Sequence, residues 1–310
     1  MPTVRVATFN CENLFARYQF RSNVGDISNG FDINDTKFDI YNTRSKRITA
    51  QAIKAMDADV ICLQEVENLP VLDRFNSEFL GGPKHKRYSH RILVDGNDPR
   101  RIDVALLSRR PIGAVRSYRH ERNDANTAAK FSRDCLRAEV EVDGGTLTLY
   151  CNHFKSMMGG REKTRAGRLE QSNRVADILR EDWGTDLEGA FMVLGDLNDY
   201  PQKGGGTTTS LGALLKNPNL VNILDRLPKK DRWTHYWSGG REYRQLDYLL
   251  LSKALDQASG RPVPGRVLDG LPWRADRYEG DRFDDVGDSN PKASDHVPVY
   301  ADVTVGSVMI

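Results

Sequence analysis

Short strand-length apolar runs recur along the chain, and six of them carry an amide, an acid or an imidazole at one end. Side chains alternate along a strand, so each run assigns its terminal residue to a face. In Val4-Arg-Val6-Ala-Thr8-Phe-Asn10, Asn10 ends the face of Val4 and Val6. In Asp59-Val-Ile61-Cys-Leu63-Gln-Glu65, Glu65 ends the face of Ile61 and Leu63. In Leu147-Thr-Leu149-Tyr-Cys151-Asn-His153, His153 does the same, and Asp196 and Asn198 continue the face of Met192 and Leu194. Asp247 precedes Tyr-Leu-Leu-Leu, and Asp295-His296 precedes Val-Pro-Val-Tyr. One such residue is more often a turn former or a cap. Six strand ends carrying two histidines, four acids and two amides point instead to one shared rim of packed sheets.

Strands are expected over 4–10, 59–65, 88–94, 103–108, 136–142, 146–153, 190–196, 234–237, 245–251 and 297–305, from alternation or short apolar runs. Helices are expected over Thr43–Met56, Pro70–Phe79, Thr164–Trp183 and Thr208–Leu215. In the first, Ile48, Ala52, Ile53 and Met56 recur at helical spacing. No Pro- or Ser-rich linker divides the 310 residues, and the reading is one domain, 1–310. Long polar segments fall at 16–42, 117–132, 199–207 and 260–292. Such loops are usually functional or mobile. The last contains Asp284-Asp285-Val-Gly-Asp288, which lacks EF-hand spacing and reads as a solvated, mobile loop. Gly204-Gly-Gly-Thr lacks the lysine of a P-loop and reads as a turn.

Hydrophobic residues make up 39% and charged residues 28%, which excludes a disordered chain. No apolar run approaches the length of a membrane span, and no membrane association is expected. Cys11, Cys62, Cys135 and Cys151 show no CxxC spacing and read as reduced structural residues. The start, Met-Pro-Thr-Val-Arg-Val-Ala, shows no secretion signal, so a cytoplasmic location is expected. A signal removed beforehand would leave no trace in the chain.

Carboxylate and amide oxygens favour a hard divalent cation, Mg or Mn, over zinc. Such a cation neutralises phosphate oxygens and stabilises a leaving oxyanion. A His backed by a carboxylate suits general-base work. Together these are the equipment for hydrolysing a phosphate ester. No serine elbow, Walker loop, HExxH or GxGxxG competes.

Thr8-Phe-Asn10, Gln64-Glu65, Asn152-His153-Phe-Lys-Ser, Gly195-Asp196-Leu-Asn198-Asp-Tyr-Pro, Leu246-Asp247-Tyr and Ser294-Asp295-His296 stand in this order along residues 4–305. The ordered set resembles the endonuclease/exonuclease/phosphatase superfamily, the DNase I-like enzymes, and most of all its bacterial nuclease-like members. The resemblance implies a four-layer α/β/β/α sandwich of two packed mixed β-sheets, with the site at one edge. It implies that Glu65 holds the metal, with Asn10 nearby and Asp295 sharing it. His296 would be the base, oriented by Asp295, and His153 would bind the scissile phosphate, oriented by Asp247. Asp196 would position or activate water and Asn198 would contact phosphate. Arg133 and Lys155 are candidate phosphate contacts. Arg101 departs from the pattern, since related sequences often have Gly before Ile-Asp-Val.

The resulting expectation is a Mg-dependent nuclease acting on DNA or RNA; the alternative is the same chemistry on a small phosphoester such as an inositol phosphate, a phospholipid headgroup or a nucleotide. No protein partner is inferred. Overall charge names no partner, with 45 Lys and Arg against 43 Asp and Glu. Between Arg100 and Arg137, however, ten basic residues stand against four acids. That stretch is expected either to track a phosphate backbone, with Tyr118 and His120 adding contacts, or to be a solvated charged surface.

Overall fold

The computed structural model describes residues 3–20, 36–82, 87–123, 125–143, 145–201 and 209–306. Two six-stranded mixed sheets dominate it. The first runs, edge to edge, Gly265–Arg266, Val299–Val303, Val4–Leu14, Val60–Val66, Asp103–Ser108, His90–Leu93. The second runs Leu220–Asn222, Asp247–Ser252, Phe191–Asp196, Gly145–His153, Cys135–Val142, Ile112–Ser117.

Three apolar clusters show how the layers stack. Val4, Val6, Val60, Cys62, Leu147, Leu149, Met192 and Leu194 interlock between the two sheets. On the outer face of the first sheet, Phe9, Ile61 and Leu63 pack with Ile48, Ile53, Leu72 and Phe75 of the helices Thr43–Met56 and Leu69–Phe75. On the outer face of the second, Tyr150, Phe191 and Val193 pack with Val175, Ile178 and Leu179 of the helix Arg165–Trp183. These are the expected layers: helix, sheet, sheet, helix. Strand residues bury both faces, which is why the runs read as nearly continuous apolar stretches. All four cysteines are free and buried, as expected.

Strand direction brings the polar ends together. Val4–Leu14 and Val60–Val66 run parallel, with Asn10 opposite Gln64. Gly145–His153 and Phe191–Asp196 run parallel, with His153 opposite Asp196. Asp247–Ser252 and Val299–Val303 run antiparallel to these neighbours, so their beginnings meet the others' ends; Asp196 pairs with Asp247.

The helix Thr43–Met56 has the expected bounds. The second begins at Leu69, where the Asn68 side chain accepts from Val71 N–H, and widens into a π-turn over Asn76–Leu80. Of the expected helix from Thr208, Gly212–Leu215 is helical, and Thr208 lies outside the described residues, as does Gly204-Gly-Gly-Thr. Ile112–Ser117 was not expected as a strand. It is an edge strand with a mostly exposed surface, so it has no apolar periodicity to read. The segment 16–42, expected as a loop, carries a hairpin pairing Ala16–Phe20 with Thr36–Ile40. The segment 260–292 differs from a free solvated loop. Leu271 and Ala275 are buried with Trp233, Tyr236 and Val297, and Trp273 N–H bonds to the Gly287 carbonyl. Its isolated apolar anchors are masked in sequence by the acids around them. Arg101 takes a left-handed φ of 55°, a conformation that glycine adopts without strain.

Candidate active site

The strand ends line one cleft of about 700 Å³. Its walls include Glu65, Arg133, His153, Asp196, Asn198, Asp295 and His296. Asn10 and Asp247 are fully buried directly behind them. Of the expected contacts, Lys155 is exposed and does not line the cleft.

Alternation alone delivers His153 and Asp196, because Leu149, Cys151, Met192 and Leu194 all face the space between the sheets. Glu65 arrives differently. Ile61 and Leu63 face the helical layer, so regular alternation would carry Glu65 there. A left-handed φ of 63° at Glu65 breaks the register and turns its carboxylate into the cleft. Asn198 takes φ 51° for a similar reversal just after its strand. Between the parallel strands, Gly195 has φ 132°, and a Cβ there would come within 1.9 Å of the Asn152 carbonyl oxygen.

At the centre of the site, His296 Nδ1 lies 2.8 Å from Asp247 Oδ2. Its Nε2 stands 3.8 Å from Asp196 Oδ2, and His153 Nε2 stands 3.6 Å from that same oxygen. Asn198 Nδ2 donates to Asp196 Oδ2 at 3.0 Å, and Asn10 Nδ2 donates to it at 3.1 Å. The pairing corrects the expectation that Asp295 orients His296 and Asp247 orients His153. Adjacent residues near an extended strand point apart, and Asp295 turns to His235 instead, at 3.6 Å.

Burial sets the charge states. Burial pushes the Asp196 carboxyl up to about 7, with Asp247 adding to the rise and His296 opposing it. Burial alone would lower His296, but the carboxylates of Asp247 and Asp196 outweigh it and raise the imidazole well above its usual value. Burial, with Arg133 and His296 nearby, holds His153 well below, so it is neutral. Burial alone would raise the Asp295 carboxyl, but His235, 3.6 Å away, and the charge of His296 outweigh it and hold the group low.

The Glu65 edge of the cleft is organised from the helical layer. Lys46 is buried and donates to the carbonyls of Cys11 at 2.5 Å and Glu12 at 2.7 Å. It thereby braces the left-handed residues Glu12 (φ 47°) and Asn13 (φ 64°). Asn13 N–H then donates to Glu65 Oε2 at 3.0 Å, while Asn10 Nδ2 lies 3.4 Å from Oε1. Among the described residues, the tight groups of acid and imidazole atoms are His235–Asp295–His296 and Asp196–Asp247–His296. Such groups can hold a divalent cation, and with Glu65 on the same cleft the set is rich in hard oxygen donors.

The comparisons agree with this architecture. The family model of the Endonuclease/Exonuclease/phosphatase family matches residues 5–304. The chain belongs to that family. Truncated TDP2 of Caenorhabditis elegans is 17% identical with a TM-score of 0.57, covering 98% of each chain. A family protein from Beutenbergia cavernae is 18% identical with a TM-score of 0.59, covering 98% of this chain and 72% of that one. The human Nocturnin catalytic domain, solved with bound sulfate, is 17% identical with a TM-score of 0.57, covering 97% and 94%. No curated protein matches the chain. The family is one of hydrolases acting on phosphoester bonds, and at these identities the structures attest the fold.

The basic stretch Arg100–Arg137 does not form one track. Arg109 and Arg110 follow Ser108 at the opposite end of their strand from the cleft and pair with Asp57 and Asp143. Arg137 is held by Asp182 and Glu139. Tyr118 is buried, with Arg116 over its ring, so it cannot touch a base. Arg100 and Arg133 do line the cleft. Arg133 is buried, faces Asp98 at 3.2 Å and donates to the Phe154 carbonyl at 3.0 Å. Sequence reasoning missed Lys46, Arg161, His235, Trp237 and Arg244. Arg161, just past Asn152-His153-Phe-Lys-Ser, had a motif-flanking position as a signal; Lys46 had none, sitting on a helix face that reads as polar.

No helix among the described residues is long and apolar enough to cross a membrane.

Proposed function

We propose that this protein is a divalent-metal-dependent phosphodiesterase that cleaves nucleic acid, with Mg the working cation and Mn a substitute. The observation that carries the reading is the Asp247–His296–Asp196 chain facing the same cleft as Glu65 and Asp295. A cation held by Glu65 and Asp295, with Asn10 steadying Glu65, supplies charge that neutralises phosphate oxygens and the departing oxyanion.

The remaining work belongs to the side chains. Asp247 accepts from His296 Nδ1 and fixes the ring, leaving Nε2 toward Asp196. A water beside Asp196 gives its proton to that carboxylate, and the protonated His296, held by Asp247, steadies the charge around it. Neutral His153 offers an N–H group to a non-bridging phosphate oxygen, while Asn198, its amide N–H groups taken by the Phe154 carbonyl and Asp196, holds the Asp196 carboxylate in place. Arg133 adds fixed positive charge from the same wall.

The test is hydrolysis of bis(p-nitrophenyl) phosphate, plasmid, single-stranded DNA and RNA with Mg, Mn, Ca or EDTA. Diester cleavage that needs Mg or Mn and stops in EDTA is expected. Full activity in EDTA removes the metal, and activity confined to phosphomonoesters replaces the nuclease by a phosphatase.

A further inference from the structure

One part of the cleft wall lies outside the group of acids and histidines at its centre. It is built from residues of three separate segments. Arg161 follows the His153 strand, Tyr200 follows Asn198, and Trp237 and Arg244 belong to the hairpin His235–Trp237 and Glu242–Arg244. They interleave cation and ring. The Arg161 guanidinium lies 4.2 Å from the Tyr200 ring centre. Arg244 lies 5.1 Å from the Tyr200 ring and 5.6 Å from that of Trp237.

Two features separate this wall from a stack that only stabilises the fold. Trp237 is 47% exposed although it lines the cleft, an unusual position for a large ring with no binding task. The turn beneath it is Gly239–Gly240, where a Cβ at Gly240 would come within 2.6 Å of the indole. The glycines let the turn back close onto the ring and support it. In addition, Arg161 is anchored by Asp199 and the Tyr200 carbonyl, and its Nη1, buried beside the cleft, has no hydrogen-bond partner among the described residues. A braced indole, a tyrosine and two guanidiniums, Arg161 held by Asp199 and Arg244 by Glu242, offer flat faces alternating with oriented N–H donors beside the proposed phosphodiesterase centre.

We propose that this wall is a stacking platform for unpaired bases, and that the substrate is therefore single-stranded nucleic acid. This rests on the phosphodiesterase reading above and adds the strand state to it. Bases have π-faces whatever their sequence, so Trp237 and Tyr200 accept them without selecting among them, while Arg161 and Arg244 meet the intervening phosphates. In a duplex those faces are already stacked on their neighbours, and the rings of this wall gain nothing from it. Both DNA and RNA single strands present this chemistry.

The experiment measures binding of labelled 12-nucleotide probes to the full chain in EDTA. The probes are single-stranded DNA, single-stranded RNA, the blunt duplex, and a single strand of abasic residues with the same phosphates. Hydrolysis of bis(p-nitrophenyl) phosphate by the wild type with Mg is followed in parallel. Base-bearing single strands are expected to bind roughly 5- to 150-fold more tightly than the abasic strand. Trp237→Ala is expected to erase most of that ratio and Trp237→Phe to retain it. A DNA or RNA arm that alone shows the ratio names the substrate's sugar. Equal binding of abasic and base-bearing strands, or tighter binding of duplex, overturns the platform while bis-ester hydrolysis still stands. Loss of the bis-ester reaction itself overturns the underlying function instead.

Discussion

Asp247 Oδ2 lies 2.8 Å from Nδ1 of His296, although 49 positions separate the two residues. Asp247 is fully buried and its second oxygen, Oδ1, has no hydrogen-bond partner among the described residues. A buried acid with one oxygen committed to an imidazole fixes which ring nitrogen carries the proton. Asp247→Asn keeps the shape and loses that control. The expected outcome is a fall in bis-ester kcat of about 10²–10⁴-fold. Adding His296→Ala to Asp247→Asn should then lose little more, because the two act as a unit. Full additivity of the two losses, measured in steady state, would separate them.

That the strand-end residues meet as expected but pair differently has a simple physical basis. Strand ends betray themselves by alternation, so Asn10, His153, Asp196 and the layers behind them were legible. Which acid meets which histidine depends on sheet order and on the backbone turn at Ser294, where the hydroxyl accepts from His296 N–H. Neither leaves a periodic trace. The left-handed turn at Glu65 is equally silent, since nothing in Leu-Gln-Glu-Val announces a positive φ. Trp237 and Arg244 sit in strands of three residues, too short for any pattern.

Lys46 links the helical layer to Glu65 through the carbonyls of Cys11 and Glu12 and the Asn13 N–H. Lys46→Met keeps the buried stem and removes both bonds. Leaving buried carbonyls unsatisfied costs about 1–3 kcal/mol, partly offset by relief of the buried charge. The denaturant midpoint should fall. Mg affinity, read by calorimetry, should weaken toward the lower end of about 10–100-fold, as for other groups that orient ligands. Unchanged Mg affinity with lowered stability would leave Lys46 with a structural part alone.

Gly195 belongs to the Gly-Asp-Leu-Asn motif, yet its requirement is architectural. With φ 132° and the Asn152 carbonyl 1.9 Å from where a Cβ would stand, Ala cannot be accommodated without moving a central strand. Gly195→Ala should destabilise by at least about 3 kcal/mol. Gly212→Ala, where no atom lies within 4 Å, is the control and should be neutral or mildly stabilising. Equal melting temperatures for the two variants would refute the close approach.

Asp103 opens its strand beside the cleft, with Gly96 N–H donating to it at 2.9 Å. Burial pushes its carboxyl up to about 6, with Asp95 and Asp98 adding to the rise. The native state therefore holds this proton more tightly than the unfolded chain, whose carboxyl sits near 3.8. The resulting contribution to stability is fully present below the unfolded value and is lost as pH rises through about 6. Above that, the ionised group weighs against folding by on the order of 1–2 kcal/mol once residual hydration is allowed for. Asp103→Asn is neutral at every pH and avoids that cost. Its melting temperature should exceed the wild type's at pH 8, and the gap should narrow as pH falls through about 6 and close only below about 3.8. A gap that is constant between pH 5 and 8 would show that Asp103 titrates in the folded protein as it does in the unfolded one.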